Sequence, residues 1–186
     1  RGGSAASRAA AAREAAARLD LARRRPLPPR IMRRVAEGFA WYALYPETYL
    51  EAAERLAAET AGPVVCLGIR SIGAALSGVA AAPFVAAGRK VETVTLRPRG
   101  HPFDRRPVLT PALAGFLAAR RDSLFLMVDE GPGLSGSSFC GTAAALAELG
   151  VPDRRIVLMP SALPDPAGFA SAAARDRWPR HPKAFV

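Results

Sequence analysis

Two acidic residues, Asp129 and Glu130, close the most apolar run of the chain, "SLFLMVDE" at 123–130, and "GPGLSGSS" follows at once. In that stretch Gly131, Gly133 and Gly136 permit close backbone approach, and Ser135, Ser137 and Ser138 supply hydroxyls where a helical pattern begins. Backbone N–H groups at a helix N-terminus, the positive end of its dipole, form an anion site suited to a phosphate monoester. The two carboxylates just upstream would repel that phosphate unless they face something else. A sugar diol, or a magnesium ion shared with a diphosphate, satisfies both halves of the loop. The competing reading is an ordinary solvated turn in which Ser135 or Ser137 caps the helix.

Such a loop needs a strand to deliver the acids and a helix to hold the amides. "PVVCLGI" at 63–69, "SLFLMVDE" at 123–130 and "RIVLMPS" at 155–161 read as buried strands, and "KVETVTL" at 90–96 alternates as a half-buried one. Between them lie helical stretches. Leu50, Ala53, Leu56 and Ala57 share helical spacing over 50–60, and Ala61-Gly62-Pro63 stops that helix. An Ala-rich helix is expected over 72–87 with a break near Pro83. Thr110-Pro111 starts another that runs to about Arg121, and a third runs from the serines to Gly150. A short final helix over 167–178 precedes "WPRHPKAFV". Strands alternating with helices predict an α/β fold of three layers, α/β/α, with a mainly parallel sheet covered on both faces. In such sheets ligands bind beyond the carboxyl ends of the strands, where Asp129 and Glu130 stand.

The net charge of +10 invites a nucleic-acid reading, but its distribution is uneven. Ten arginines against Glu14 and Asp20 place +8 at or before Arg34, so the remainder of the chain carries only +2. Residues 1–30 form an Ala/Arg-rich low-complexity arm, a frayed helix or a disordered segment, closed by the Pro-rich break "RPLPPR" at 25–30. Nucleic acid is a candidate partner only through this arm. Residues 31–186 are the expected α/β domain. Its first part, 31–60, contains the aromatic cluster "IMRRVAEGFAWYALYPETY" and is either a hood over the site or helical packing; Tyr42, Tyr45 and Tyr49 carry both readings. Cys66 and Cys140 have no CxxC or Cys/His neighbours and read as buried packing, not as zinc ligands or nucleophiles. No apolar run is long enough to span a membrane. The chain begins on Arg1 without a charged-then-apolar leader, which argues against a secretory signal and leaves open whether it is a fragment, and the two cysteines fit a reducing cytoplasmic setting.

An apolar strand, two acids, a short spacer and a Thr/Ser-Gly-any-Thr/Ser turn resemble the 5-phosphoribosyl-1-diphosphate (PRPP) motif of type I phosphoribosyltransferases. Here the matching stretch is "LFLMVDEGPGLSGSSF". The resemblance implies that fold for the domain and implies Mg2+ as cofactor, held through Asp129 and Glu130. It implies that those acids, the candidate catalytic pair, hold the ribose hydroxyls, while Gly133, Ser135, Gly136, Ser137 and Ser138 hold the 5′-phosphate. The sequence departs from the family in its spacer. "GPGL" has four residues where three are usual, Ser replaces Thr, and no acid lies within the spacer, which argues against a hypoxanthine-type enzyme. By the same resemblance, "LGIRSIG" falls where family members bind diphosphate, making Arg70, Ser71 and Gly73 candidates. "RPRGHPFDRR" falls where the family keeps a mobile basic lid, making Arg97, Arg99, His101, Arg105 and Arg106 candidates. The implied activity is pentosyl transfer to a nitrogenous acceptor with diphosphate release. The alternative is a non-catalytic sensor of PRPP or a nucleotide. A homodimer is the candidate assembly.

Overall fold

The computed structural model describes residues 5–26, 29–30 and 38–185, and the chain falls into two units, Arg1–Ala36 and Glu37–Val186. Among the described residues of the first unit one helix forms, α1 (Ala5–Arg23), and its described side chains are exposed. Its alanines favour the helix intrinsically, and Arg18 pairs with Glu14 at 2.6 Å one turn away. The portion of the expected hood at 31–37 lies outside the described residues.

In the second unit, a 3-10 turn at Phe39–Tyr42 leads to α2 (Pro46–Glu59), then β1 (Val64–Ile69), α3 (Gly73–Ala86) and β2 (Val91–Leu96). A two-stranded ribbon follows, β3 (Pro98–Arg99) with β4 (Arg106–Pro107), and then α4 (Pro111–Ala118), β5 (Leu124–Val128), α5 (Ser137–Glu148), β6 (Ile156–Met159) and α6 (Ala172–Arg177). The main sheet has the order β2-β1-β5-β6, with every pairing parallel. The C-terminal residues continue it: Leu158 N–H donates to Pro182 at 2.9 Å and Ala184 N–H to Leu158 at 2.9 Å, covering the outer edge of β6.

Alternation along the strands sorts the core into two faces. Val65, Leu67, Ile69, Phe125, Met127, Ile156 and Leu158 point to one side, against Leu117, Phe139, Ala143, Leu146 and Trp178 from α4, α5 and the C-terminal helical turns. Val64, Cys66, Leu126, Val128, Val157 and Met159 point to the other, against Tyr49 and Ala53 of α2 and Leu76, Ala80 and Phe84 of α3. The result is the three-layer α/β/α arrangement, with both sheet faces buried as the near-continuous apolar strands require.

Three local expectations are corrected. The helix over 72–87 does not break at Pro83: α3 runs through it to Ala86, and Ala87 N–H still bonds the Pro83 carbonyl at 2.9 Å. Within residues 97–109, β3 and β4 pair antiparallel. The final helix over 167–178 is divided, with a 3-10 turn at Pro166–Gly168 and α6 beginning only after Ser171, whose side chain accepts from Ala174 N–H. The second helix starts at Pro46 instead of 50, because a proline is tolerated in a first turn that has no use for its N–H.

Candidate functional site

In chain order β1 comes first, β2 lies on one side of it and β5 on the other. Connections therefore leave β1 and β5 in opposite directions and open a crevice at their carboxyl ends, the position where parallel α/β sheets bind ligands. A cavity of about 630 Å³ occupies it. Arg70 and Ser71 line it from the loop after β1, Arg105 from the ribbon, Asp129, Glu130, Gly133 and Ser135 from the loop after β5, and Ser138 from the first turn of α5. Three segments separate in sequence thus meet in one place.

The turn after β1 is shaped by two glycines. A Cβ on Gly68 would stand 2.4 Å from the Gly73 carbonyl oxygen, and one on Gly73 would stand 2.2 Å from that of Val128. The start of α3 therefore rests directly on the ends of β1 and β5. Gly73 is buried and does not line the cavity; its N–H instead supports the carboxylate of Asp129. The Arg70–Ser71 peptide bond is cis, and both side chains are exposed.

Asp129 is 9% exposed. Burial pushes its carboxyl up to about 7, the neighbouring Glu130 charge adds to this, and the N–H groups of Glu130 and Gly73 oppose it. Behind the pair, the Tyr49 hydroxyl donates to the Asp129 carbonyl at 2.8 Å, and Ser161 N–H donates to the Glu130 carbonyl at 2.7 Å. Burial raises the Tyr49 phenol well above its ordinary range, the two acidic charges add to this, and a hydrogen bond from Ser161 opposes it.

The serines beyond the acids are engaged with the ribbon. The hydroxyls of Ser135 and Ser137 lie 2.8 and 2.7 Å from the Pro102 carbonyl and 2.9 Å from each other, and Ser135 Oγ accepts from Ser137 N–H at 3.2 Å. Gly136 begins α5 at φ +67°, and a Cβ there would meet the Phe169 ring at 2.8 Å, so glycine is required on both counts. The first-turn amides of α5 have no intrahelical carbonyl partners, as at any helix start, and Ser138 of that turn faces the cavity.

The remaining expected residues are elsewhere. Arg97, Arg99, His101, Arg106, Gly136 and Ser137 do not line the cavity. Arg106 pairs with Glu148 at 2.5 Å, and His101 accepts from Phe103 N–H at 3.2 Å and meets its ring edge-on. The ribbon lies against α5 so closely that a Cβ on Gly141 would stand 1.9 Å from the Arg105 carbonyl oxygen. Of the tyrosines, Tyr42 lines the cavity with Leu44, Tyr45 is exposed, and Tyr49 is buried behind it. Ser161 and Leu44 were not anticipated. Ser161 stands just past the carboxyl end of β6, a position that the strand-end rule alone would have flagged.

Among the described residues no group of three or more His, Cys, Asp and Glu side chains could hold a metal, and no helix is long and apolar enough to cross a membrane. Two adjacent carboxylates on one cavity wall do suit magnesium, which uses one or two carboxylates and completes its shell with water and substrate phosphates.

The chain is an α/β protein with a mainly parallel four-stranded sheet flanked by helices. No family model and no curated protein matches it. Among solved structures it is similar to a solute-binding protein of an ABC transporter from Rhodopseudomonas palustris BisB5, in complex with 3,4-dihydroxybenzoic acid, at 15% identity and a TM-score of 0.40 over 62% of this chain and 29% of that one. It is also similar to a 2,5-dihydroxypyridine dioxygenase from Pseudomonas putida KT2440, at 13% identity and a TM-score of 0.36 over 65% of this chain and 35% of that one. Neither is a phosphoribosyltransferase, and the chain spans only about a third of either length.

Proposed function

We propose that the chain is a protein of the type I phosphoribosyltransferase kind, binding PRPP or a nucleotide with magnesium at this cavity and transferring phosphoribosyl to a nitrogenous acceptor. The observation that carries the reading is the convergence of the Asp129–Glu130 pair, Ser135, Ser138, Arg70, Ser71 and Arg105 on one cavity at the sheet's switch point. In this reading Asp129 and Glu130 hold the ribose hydroxyls. The first turn of α5, with Ser135 and Ser138, holds the 5′-phosphate by its amides and hydroxyls.

Diphosphate lies toward Arg70 and Ser71, with Arg105 on the ribbon facing it and Arg97, Arg99, His101 and Arg106 as the further cations of a lid. The acceptor nitrogen forms its bond to C1 as the bond from C1 to diphosphate breaks, and the diphosphate leaves with the electron pair. Positive charge grows on the sugar and negative charge on the leaving group, so fixed guanidiniums on one side and carboxylates on the other lower the barrier electrostatically. Asp129 and Glu130 would also hold Mg2+, which when bound neutralises charge on the diphosphate. Orientation supplies the remainder, since no protein nucleophile is required. A reducing cytoplasmic setting belongs to the same reading, supported by Cys66 and Cys140, both free and buried.

One observation favours the second reading, a sensor without turnover. The hydroxyls of Ser135 and Ser137 are already committed to the Pro102 carbonyl, in a loop one residue longer than the family's. Titration with PRPP and magnesium, followed by assay of diphosphate release with a panel of bases, decides between them. Release with any base establishes the enzyme, and binding without release establishes the sensor. Absence of binding, or binding unchanged by Asp129→Asn with Glu130→Gln, rejects both.

A further inference from the structure

We propose that Tyr49 is a positioning residue for the acidic pair: its hydroxyl fixes the backbone of Asp129 and Glu130 so that both carboxylates are presented to the ligand's diol. The inference rests on the ribose-binding reading of the cavity and adds to it a residue from α2, eighty positions away in sequence. Tyr49 is 2% exposed and packs among Ala53, Leu76 and Val128 on one face of the sheet, where a phenylalanine would serve packing equally well. Its hydroxyl is used instead. It donates to the Asp129 carbonyl at 2.8 Å and lies 3.5 Å from that of Glu130, too far to share its one hydrogen equally.

The clamp has a second member. Ser161 sets its side chain beside the phenol and donates its N–H to the Glu130 carbonyl at 2.7 Å. Both carbonyls of the acidic dipeptide are thus drawn back toward α2 and β6. Asp129 N–H is drawn the same way, toward the Met159 carbonyl at 3.3 Å. With the backbone held from behind, the side chains are left to face the cavity that both line. Two like charges side by side have every reason to splay apart, and the clamp is the feature that opposes it. The phosphate end of the cavity has no such link to Tyr49, because Ser135 and Ser137 are tied to Pro102 on the opposite face.

This asymmetry gives a test that a general loss of structure would not reproduce. Ribose 5-phosphate and inorganic phosphate are titrated, with magnesium, into the wild-type protein and Tyr49→Phe. The expected result is a loss of about tenfold in ribose 5-phosphate affinity, with phosphate affinity held within about twofold. Equal binding of ribose 5-phosphate by both proteins overturns the inference, as does an equal loss of both ligands. Should Tyr49→Phe not fold, replacement of Tyr49 by 3-fluorotyrosine keeps the ring and acidifies the donor. It must then shift ribose 5-phosphate affinity by about twofold or more with phosphate unchanged, and no shift overturns the role. Wild-type protein that binds phosphate but gains nothing from the ribose rejects the ribose reading itself, independently of Tyr49.

Discussion

A Cβ placed on Gly73 would stand 2.2 Å from the carbonyl oxygen of Val128, so the first residue of α3 and the last residue of β5 meet backbone to backbone. Nothing at this contact is a flexible side chain that could move aside. Gly73→Ala is therefore expected to destabilise the protein by about 1–3 kcal/mol and to weaken ligand binding, since the same residue's N–H supports Asp129. Gly78, in the same helix, has nothing within 4 Å of its would-be Cβ. Gly78→Ala is expected to stabilise by about 0.5–1 kcal/mol through helix propensity alone. Urea unfolding of the two variants should move in opposite directions.

The raised carboxyl of Asp129 makes stability depend on pH. Its folded value, about 7, exceeds its ordinary 3.8, so the unfolded chain ionises first as pH rises. The stability this group contributes is complete below 3.8 and is lost as pH rises through about 7, at roughly 1.4 kcal/mol for each pH step between the two values. Asp129→Asn should accordingly gain on the wild type between these values and keep a constant advantage above them. A stability difference independent of pH would show that Asp129 is not buried as described.

His181 acts in the opposite sense. It is 3% exposed, its Nδ1 lies 3.2 Å from the Asp153 carbonyl and must therefore carry the proton, and its buried Nε2 has no partner. Protonation would bury a donor without an acceptor, and burial accordingly lowers its pKa from the ordinary 6.5. The unfolded chain takes up the proton first as pH falls, so stability present above 6.5 is lost below it, toward the depressed folded value. His181→Gln should flatten the acid limb in an Asp129→Asn background, where the carboxyl slope has been removed. An unchanged limb would assign the loss to other groups.

The Ser137 hydroxyl, 4% exposed, ties α5 to the ribbon through the Pro102 carbonyl. Ser137→Ala should cost about 1 kcal/mol and speed amide exchange at Asp104, whose N–H bonds the His101 carbonyl at 2.8 Å inside the ribbon. Ser138→Ala should leave that exchange rate unchanged, since Ser138 faces the cavity.

The arm is expected to act separately. Removal of residues 1–30 should leave the thermal unfolding of the unit Glu37–Val186 where it was. Any binding of the full chain to RNA or another polyanion should fall steeply with salt and vanish on that deletion, because residues 1–30 carry eight arginines against Glu14 and Asp20, +6 of the net +10.

How much of this was legible beforehand follows from which interactions are local. Three of the four main strands were readable because burial on both faces demands unbroken apolar runs such as "VVCLGI" and "LFLMV", β2 was readable by its alternation, and a serine start with a glycine stop delimited α5. The composition of the loop after β5 was readable for the same reason: acids, glycines and serines coincide within ten residues at one strand end. Pro83 misled because three turns of Ala-rich helix packed on the sheet outweigh one missing hydrogen bond.

The sequence by itself therefore determined the alternating elements, the face each strand residue takes and the one loop in which acids, glycines and serines meet. Only the tertiary structure decided which partners complete the site. It set Tyr49 behind Asp129, Ser137 against Pro102 and Arg105 on the same cavity as Arg70, while turning Arg106 toward Glu148. Those pairings join residues tens of positions apart, and a hydrogen bond of that reach has no periodicity or composition to announce it. It exists only once strand order has brought the two ends together.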